Sequence, residues 1–207
     1  MLFKRRKKKS IINTDLVVAG ITIASVNKTK FLGVIIDQFL TFEAHIQYIK
    51  GKVAKGLGIL YRCKKFFNNN TLLTLYYSFI YPYFNYCNCI WGNTYQTYLD
   101  PLVKLQKKAI RIIANAERLA HTDIIFKDLK VLTLRNLHTY CVQLFLFKYH
   151  FNQVPNIFTD FYTRNSSIHT HTTRQRNHFH TAGANTLPKI NSVRVSGVKI
   201  YKHIISC

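Results

Sequence analysis

Acidic residues are what this sequence has least of: 8 Asp and Glu stand against 30 Lys and Arg, for a formal net charge of +22 over 207 residues. No two acids are adjacent. Asp15, Asp37, Glu43, Asp100, Glu117, Asp123, Asp128 and Asp160 are isolated, so no stretch offers the neighbouring carboxylates that clamp two metal ions in phosphoryl-transfer chemistry. No serine lies in a Gly-x-Ser-x-Gly elbow and no cysteine lies in an activated motif, which leaves nucleophilic catalysis without a recognisable residue. The five cysteines are odd in number and irregularly spaced, and no secretory signal layout precedes them. A disulfide framework is thereby excluded, and a reducing, intracellular compartment is expected. Cys87-x-Cys89 lacks the usual zinc spacings and reads better as two small apolar residues than as a metal site. No internal repeat is evident.

Charge is missing locally as well. From Phe66 to Leu99 there is no formal charge, and the run is long enough for the roughly 20 residues of a membrane span. Asn68, Asn69, Asn70, Pro82, Asn85, Asn88 and Asn93 interrupt it, so soluble buried helices around Tyr76, Phe79, Ile80 and Trp91 are expected instead.

What the chain does have is apolar content, 48% hydrophobic and 14% aromatic, sufficient for a packed core. Its basic residues are spread along the sequence rather than gathered in a tail. A folded cationic surface that meets a polyanion follows, nucleic acid first and an anionic membrane second. The run Lys4-Arg5-Arg6-Lys7-Lys8-Lys9 is open to three readings: a nuclear localisation signal, a phosphate-contacting loop or a solvated charge run.

Leu16-Val17-Val18 and Ile21-Thr22-Ile23 flank Ala19-Gly20 and predict a tight β-hairpin. Phe31 to Ile36 predicts a third strand, with Gly33 in its middle allowing a bulge or a close backbone approach. From about Thr41 to Phe67 the spacing of Ile46, Ile49, Val53, Leu57 and Leu60 predicts a long helix with Lys55 and Arg62 opposite and Lys52 on the flank. Gly51 and Gly58, seven apart, would mark close packing of a neighbouring helix or close approach of a phosphate backbone; packing is the preferred reading. Asn68–Asn70 cap a helix from Thr71 to about Tyr81, which Pro82 ends or kinks.

The most informative stretch follows. Asp100-Pro101 reads as the N-cap and first residue of a helix. Along it Leu102, Leu105, Ala109, Ile112 and Ile113 form one stripe, and Lys104, Lys107, Lys108 and Arg111 form another at i, i+3, i+4 and i+7. One face is built for burial and the other for something negative. Further on, His121-Thr122-Asp123 would start a short helix. Leu134, Leu137, Cys141, Leu144, Phe145 and Lys148 mark a longer one that Pro155 closes. Residues at about 163–186 turn to Thr, His, Arg and Asn and predict an exposed polar loop; Ser192 to Ile205 is apolar again but too short to place. His169, His171, His178 and His180 at i, i+2 spacing read as exposed side chains more readily than as metal ligands.

Several blocks in order resemble non-LTR retrotransposon reverse transcriptases of the jockey/LINE type. They are Phe31-Leu32-Gly33-Val34-Ile35-Ile36-Asp37, Leu40-Thr41-Phe42 with His45-Ile46, Tyr76 to Tyr86 with Ile90-Trp91-Gly92, and Lys104 to Ile113. His169-Thr170-His171-Thr172-Thr173-Arg174 is similar to family text of no known chemical role, and the zinc-knuckle motif that ends some of these proteins is absent.

The resemblance implies a C-terminal fragment of an RNA-directed DNA polymerase: residues 1–40 the end of the palm with a primer-grip-like β-hairpin, 41–115 a helical thumb-like bundle, 116–207 a helical linker region. The fold expected is mostly α, with a small N-terminal antiparallel β element. The fingers, most of the palm and the aromatic-x-Asp-Asp turn would lie before Met1, so no catalytic residue is expected here. The Mg2+ of the full-length enzyme would be held by that missing segment, and this chain alone would not polymerise. The resemblance makes Phe31, Leu32 and Gly33 primer-grip-like. It makes Lys104, Lys107, Lys108 and Arg111, with Lys52, Lys55 and Arg62, the contacts to an RNA template, an RNA–DNA hybrid or a DNA duplex. A stand-alone, non-enzymatic nucleic-acid-binding module derived from such an element is the alternative, and a membrane protein a more distant one.

Overall fold

The computed structural model describes residues 1, 3, 16–168, 171, 174–181 and 183–205. The Lys4–Lys9 run and most of the His169–Arg174 text lie outside the described residues.

Two short antiparallel hairpins come first. β1 (Leu16–Val18) pairs with β2 (Ile21–Ile23), Val18 opposite Ile21. Ala19 and Gly20 both have positive φ, the primed turn whose twist suits a two-residue hairpin loop. β3 (Lys28–Phe31) pairs with β4 (Val34–Asp37) in the same way, across Leu32 and Gly33 at φ 44° and 84°. The expected single strand from Phe31 to Ile36 is thus two strands, and Gly33 is a turn residue rather than a mid-strand one. The close approach is nevertheless real: the Tyr86 hydroxyl donates to the Leu32 carbonyl at 2.6 Å, and a Cβ on Gly33 would meet Tyr86 Cε1 at 3.3 Å.

Asp37 organises the entry into the helical body. Its carboxylate accepts from the backbone N–H groups of Phe39, Thr41 and Phe42 and from the Thr41 hydroxyl, at 2.7–3.2 Å. It thereby satisfies donors that precede α1 (Glu43–Cys63), whose own N-cap, Phe42, supplies none. α1 buries Ile46, Ile49, Val53 and Leu60.

The glycine expectation is corrected. A Cβ at Gly51 or Gly58 would meet open space, whereas one at Gly56 would lie 2.8 Å from Ile80 Cγ1 and 3.0 Å from the Phe79 carbonyl oxygen. Gly56 is where α1 packs tightly, against the end of α2 (Asn69–Phe79).

Asn68 caps α2 through its side chain, accepting from Thr71 N at 2.9 Å. The helix breaks at Ile80, and Pro82 is the second residue of α3 (Tyr81–Asn85), a position where its missing N–H costs nothing. α4 (Asn88–Trp91) ends in the hub of the core. Trp91 is fully buried, and its indole N–H donates to the Tyr86 carbonyl at 2.9 Å. Burying a ring of about 200 Å2 stabilises by roughly 5 kcal/mol at about 25 cal/mol per Å2. Tyr76 and Ile80 join it; Phe79, expected there, is 45% exposed.

α5 runs Gln96–Ile113, a turn earlier than Asp100-Pro101 suggested. Asp100 is not its N-cap but accepts from the Gln96 side chain at 2.6 Å, and Pro101 stands inside the helix with no N–H to offer the Thr97 carbonyl. The buried stripe is Leu99, Leu102, Gln106, Ala109, Ile110 and Ile113; Leu105 and Ile112 are only half-buried.

Gln106 was invisible as a core residue. Its amide donates to Tyr76 Oη at 3.0 Å and the Leu132 carbonyl at 2.9 Å, and its oxygen accepts from Leu134 N at 2.9 Å. It ties α2, α5 and the start of α7 together.

α6 (Thr122–Asp128) and α7 (Leu134–His150) follow, the latter capped by the Thr133 hydroxyl. α7 ends before Pro155 and buries Leu137, His138, Val142 and Leu146, while Leu144 is exposed. A second, smaller core gathers Val142, Leu146, Tyr162, Phe179 and Val198. It receives α9 (Val193–Ile205), which packs on α7, and α8 (Leu187–Asn191) packs on α9. The polar stretch 163–186 is therefore not wholly an exposed loop: Phe179 is 2% exposed and bridges Arg164 in an isolated antiparallel pair. The fold is mostly α with a small N-terminal antiparallel β element. No helix among the described residues is long and apolar enough to cross a membrane.

Candidate nucleic-acid interface

An α-helix advances about 100° per residue, which puts Lys104, Lys107, Lys108 and Arg111 roughly opposite the buried stripe of α5. Lys104 and Lys108 are exposed; Lys107 and Arg111 are half-buried. Arg111 also has a structural task, since its Nε–H donates to the Ala120 carbonyl at 2.9 Å and pins the loop after the helix. No carboxylate pairs with Lys104, Lys107 or Lys108 among the described residues, and their charge is uncompensated there.

On α1 the outer face carries Lys55 and Arg62, both exposed, with Lys52 half-buried beside them. Arg62 Nε donates back to the Gly58 carbonyl at 3.3 Å. The Lys30 and Lys52 ammonium groups lie 5.3 Å and 5.6 Å from the centroid of the Tyr48 ring. This cation–π arrangement brings the β3–β4 hairpin beside the basic face of α1. Phe31, Leu32 and Gly33, for which the resemblance implied a primer-grip-like role, form the exposed tip of that hairpin. Lys30 and Tyr48 were missed in the sequence because no periodic pattern links a strand to a helix.

The acids form no counterpart. Among the described residues no three His, Cys, Asp or Glu side chains gather as a metal site. Asp37 is occupied by backbone donors and Asp100 by Gln96. The residues described here therefore do not fit the two-ion site that the resemblance assigns to Mg2+ in the full-length enzyme. The Cys141 thiol donates to Asn85 Oδ1 at 3.6 Å; the neighbouring Cys89 holds the Cys141 thiol down at about 7, while Cys141 and burial push that of Cys89 up.

Sequence comparison adds one relative. The chain is 30% identical over 121 residues to a probable RNA-directed DNA polymerase from the transposon X-element of Drosophila melanogaster, covering 56% of this chain. That similarity supports a reverse-transcriptase relationship. The matched segment spans 13% of the relative's length. No family model and no solved structure matches the chain.

Proposed function

We propose that this chain is the thumb-bearing part of a non-LTR mobile-element reverse transcriptase, holding template–primer duplex through phosphate contacts. The observation that carries the proposal is the α5 cation set, opposite the helix's buried stripe and without carboxylate partners among the described residues. Such a face grips any sequence alike, because phosphates position a duplex but carry no base identity. The β3–β4 hairpin, with Lys30 and Lys52 drawn to Tyr48, extends the grip toward the primer strand. The carboxylates that would hold Mg2+ belong to polypeptide outside these residues, so the chain alone binds without extending a primer.

Salt tests this directly. Each neutralised phosphate adds about −0.9 to the slope of log affinity against log salt on B-form DNA. Lys104→Gln with Lys108→Gln, both exposed and free of the structural task of Arg111, should flatten that slope by about 1.8 and weaken unrelated sequences equally. An unchanged slope and affinity would show the α5 face to be merely solvated.

A further inference from the structure

We propose that Cys89 of α4 and Cys141 of α7 form a reversible modification site, a thiol pair that peroxide closes into a disulfide between the two cores. The site is independent of the duplex grip and uses none of its cations.

Close packing of two helices brings the pair together. α4 packs on α7, and His138 Nδ1 lies 3.2 Å from the Asn88 carbonyl oxygen and 3.1 Å from Asn88 Oδ1. A Cβ on Gly92 would lie 2.7 Å from the same nitrogen, so there is no room for a side chain between the end of α4 and α7. Cys89 follows Asn88, and Cys141 stands one turn after His138 on the same face of α7. The Cys141 thiol reaches Asn85 Oδ1 at 3.6 Å, so His138 and Cys141 bracket the α3–α4 segment from Asn88 to Asn85. Cys89 packs against the second core and Cys141 against the first. Each thiol is the largest influence on the other's ionisation, and Cys87, though nearer in sequence, has the smallest on Cys89. Both thiols are free and half-buried, within reach of a small oxidant.

Cys141 is the attacking sulfur. Cys89 holds its thiol down at about 7 against the opposing effect of burial, so about half is thiolate, the reactive form, at neutral pH. Cys141 and burial push the Cys89 thiol up, which keeps its proton and makes it the resolving partner. The other titratable groups beside the pair are uncharged at that pH, since burial raises Tyr81 and Tyr162 and lowers His138.

The steps balance with hydrogen peroxide as oxidant. The Cys141 thiolate attacks one peroxide oxygen; an S–O bond forms, the O–O bond breaks, and the departing hydroxide takes a proton to become water. Cys89 then attacks the sulfenic sulfur; the S–S bond forms, the S–O bond breaks, and hydroxide leaves with the Cys89 proton as a second water. Two thiols lose the two electrons that one peroxide gains. Exchange with a thiol reductant restores both cysteines. A lowered thiol, solvent access and an adjacent resolving thiol are the marks of a redox-sensing cysteine, and in a reducing compartment such a bridge is a transient signal.

The test treats the full, reduced chain with hydrogen peroxide under native conditions, blocks the remaining thiols with iodoacetamide and maps the peptides by mass. The expected product joins Cys89 to Cys141 within one chain, disappears on adding dithiothreitol and leaves Cys63 alkylated. Cys87→Ser should form it as the wild type does. Cys89→Ser should stop at a Cys141 sulfenic acid, which dimedone traps. It should also move the pH midpoint of Cys141 alkylation up from about 7 toward the ordinary thiol value of about 8.5, a shift that a merely structural Cys89 would not produce. Cys141→Ser should abolish both the bridge and the sulfenic acid. The wild-type map decides the pairing without requiring any variant to fold. A main product that joins Cys87 to Cys89, a bridge between two chains, or a Cys141 that peroxide leaves fully alkylatable overturns the proposal.

Discussion

Between residues 17 and 33 every side chain is exposed, Val17, Val18, Ile21, Ile23, Phe31 and Leu32 among them. One residue later Val34 is buried, and from there to Leu137 a single core runs through Ile46, Tyr76, Trp91 and Ile110. The two regions are held by different forces. In the hairpins two positive-φ pairs fix the geometry, and isolated two-stranded elements of this kind are marginal in water. In the bundle, burial fixes it, and one polar residue, Gln106, ties three elements through hydrogen bonds that apolar side chains cannot replace. The contrast implies that the bundle is stable alone, while the apolar hairpin surface has no cover within the described part of this chain.

The strongest way to break that contrast is through Gln106. Gln106→Leu keeps the volume but strands the Leu134 N–H and the Tyr76 hydroxyl in the interior and removes the part-buried bond to the Leu132 carbonyl. At about 1–3 kcal/mol for each unsatisfied buried group, the loss should reach several kcal/mol. Urea unfolding measures it; a change below about 1 kcal/mol would mean that the network is dispensable.

Gly56→Val comes next. Its side chain would collide with Ile80 and the Phe79 backbone, and overpacking costs about 1–3 kcal/mol. Gly51→Ala, the same helix facing open space, should instead stabilise by roughly 0.5–1 kcal/mol through helix propensity. A shared sign in thermal melts would refute the assignment of Gly56 as the contact.

These two positions also show what the sequence made legible. Periodicity revealed α1, half of the α5 stripe (Leu102, Ala109 and Ile113) and the first hairpin, since Ala19-Gly20 between β-branched runs leaves few alternatives. It misled where a local signal had two uses. Asp100-Pro101 mimics a helix start, yet the helix begins at Gln96 and Asp100 receives the Gln96 amide. The i, i+7 pair Gly51 and Gly58 looked like a packing seam, but contact with Ile80 depends on a break in another helix that no single-helix pattern contains. The cation set on α5 was legible because amphipathicity is periodic. Lys30 beside Tyr48 was not, because a strand and a helix with no shared periodicity create it.

Acid gives a smaller and graded effect. His45 accepts from Ile35 N at 3.3 Å, and burial lowers its pKa and that of His138 below the ordinary 6.5. Both are neutral in the fold, so their contribution is intact above pH 6.5. As pH falls below that value the unfolded chain takes up protons that the native chain refuses, and stability declines by up to about 1.4 kcal/mol per pH unit for each histidine. Urea midpoints from pH 7.5 to 5.5 should follow that slope, and His138→Gln should remove about half of it. A flat profile would place both imidazoles in water.

The hairpins should respond least. Ile21→Lys, on a side chain 70% exposed, should leave the stability of the isolated chain within about 0.5 kcal/mol, as surface substitutions usually do. Val34→Lys, thirteen residues on but in the core, should lower it by several times that, since it buries an unpaired charge. Measured in parallel by chemical denaturation, the pair sets the boundary between the two regions at a single hairpin. The β4 strand belongs to the bundle because Val34 is packed in its core and Ile35 N donates to His45; its partner β3 belongs to the exposed region, held by the Leu32-Gly33 turn. A loss of several kcal/mol from Ile21→Lys would mean that the first hairpin is packed in solution, and the opposition between turn-held and burial-held structure would fail at its clearest point.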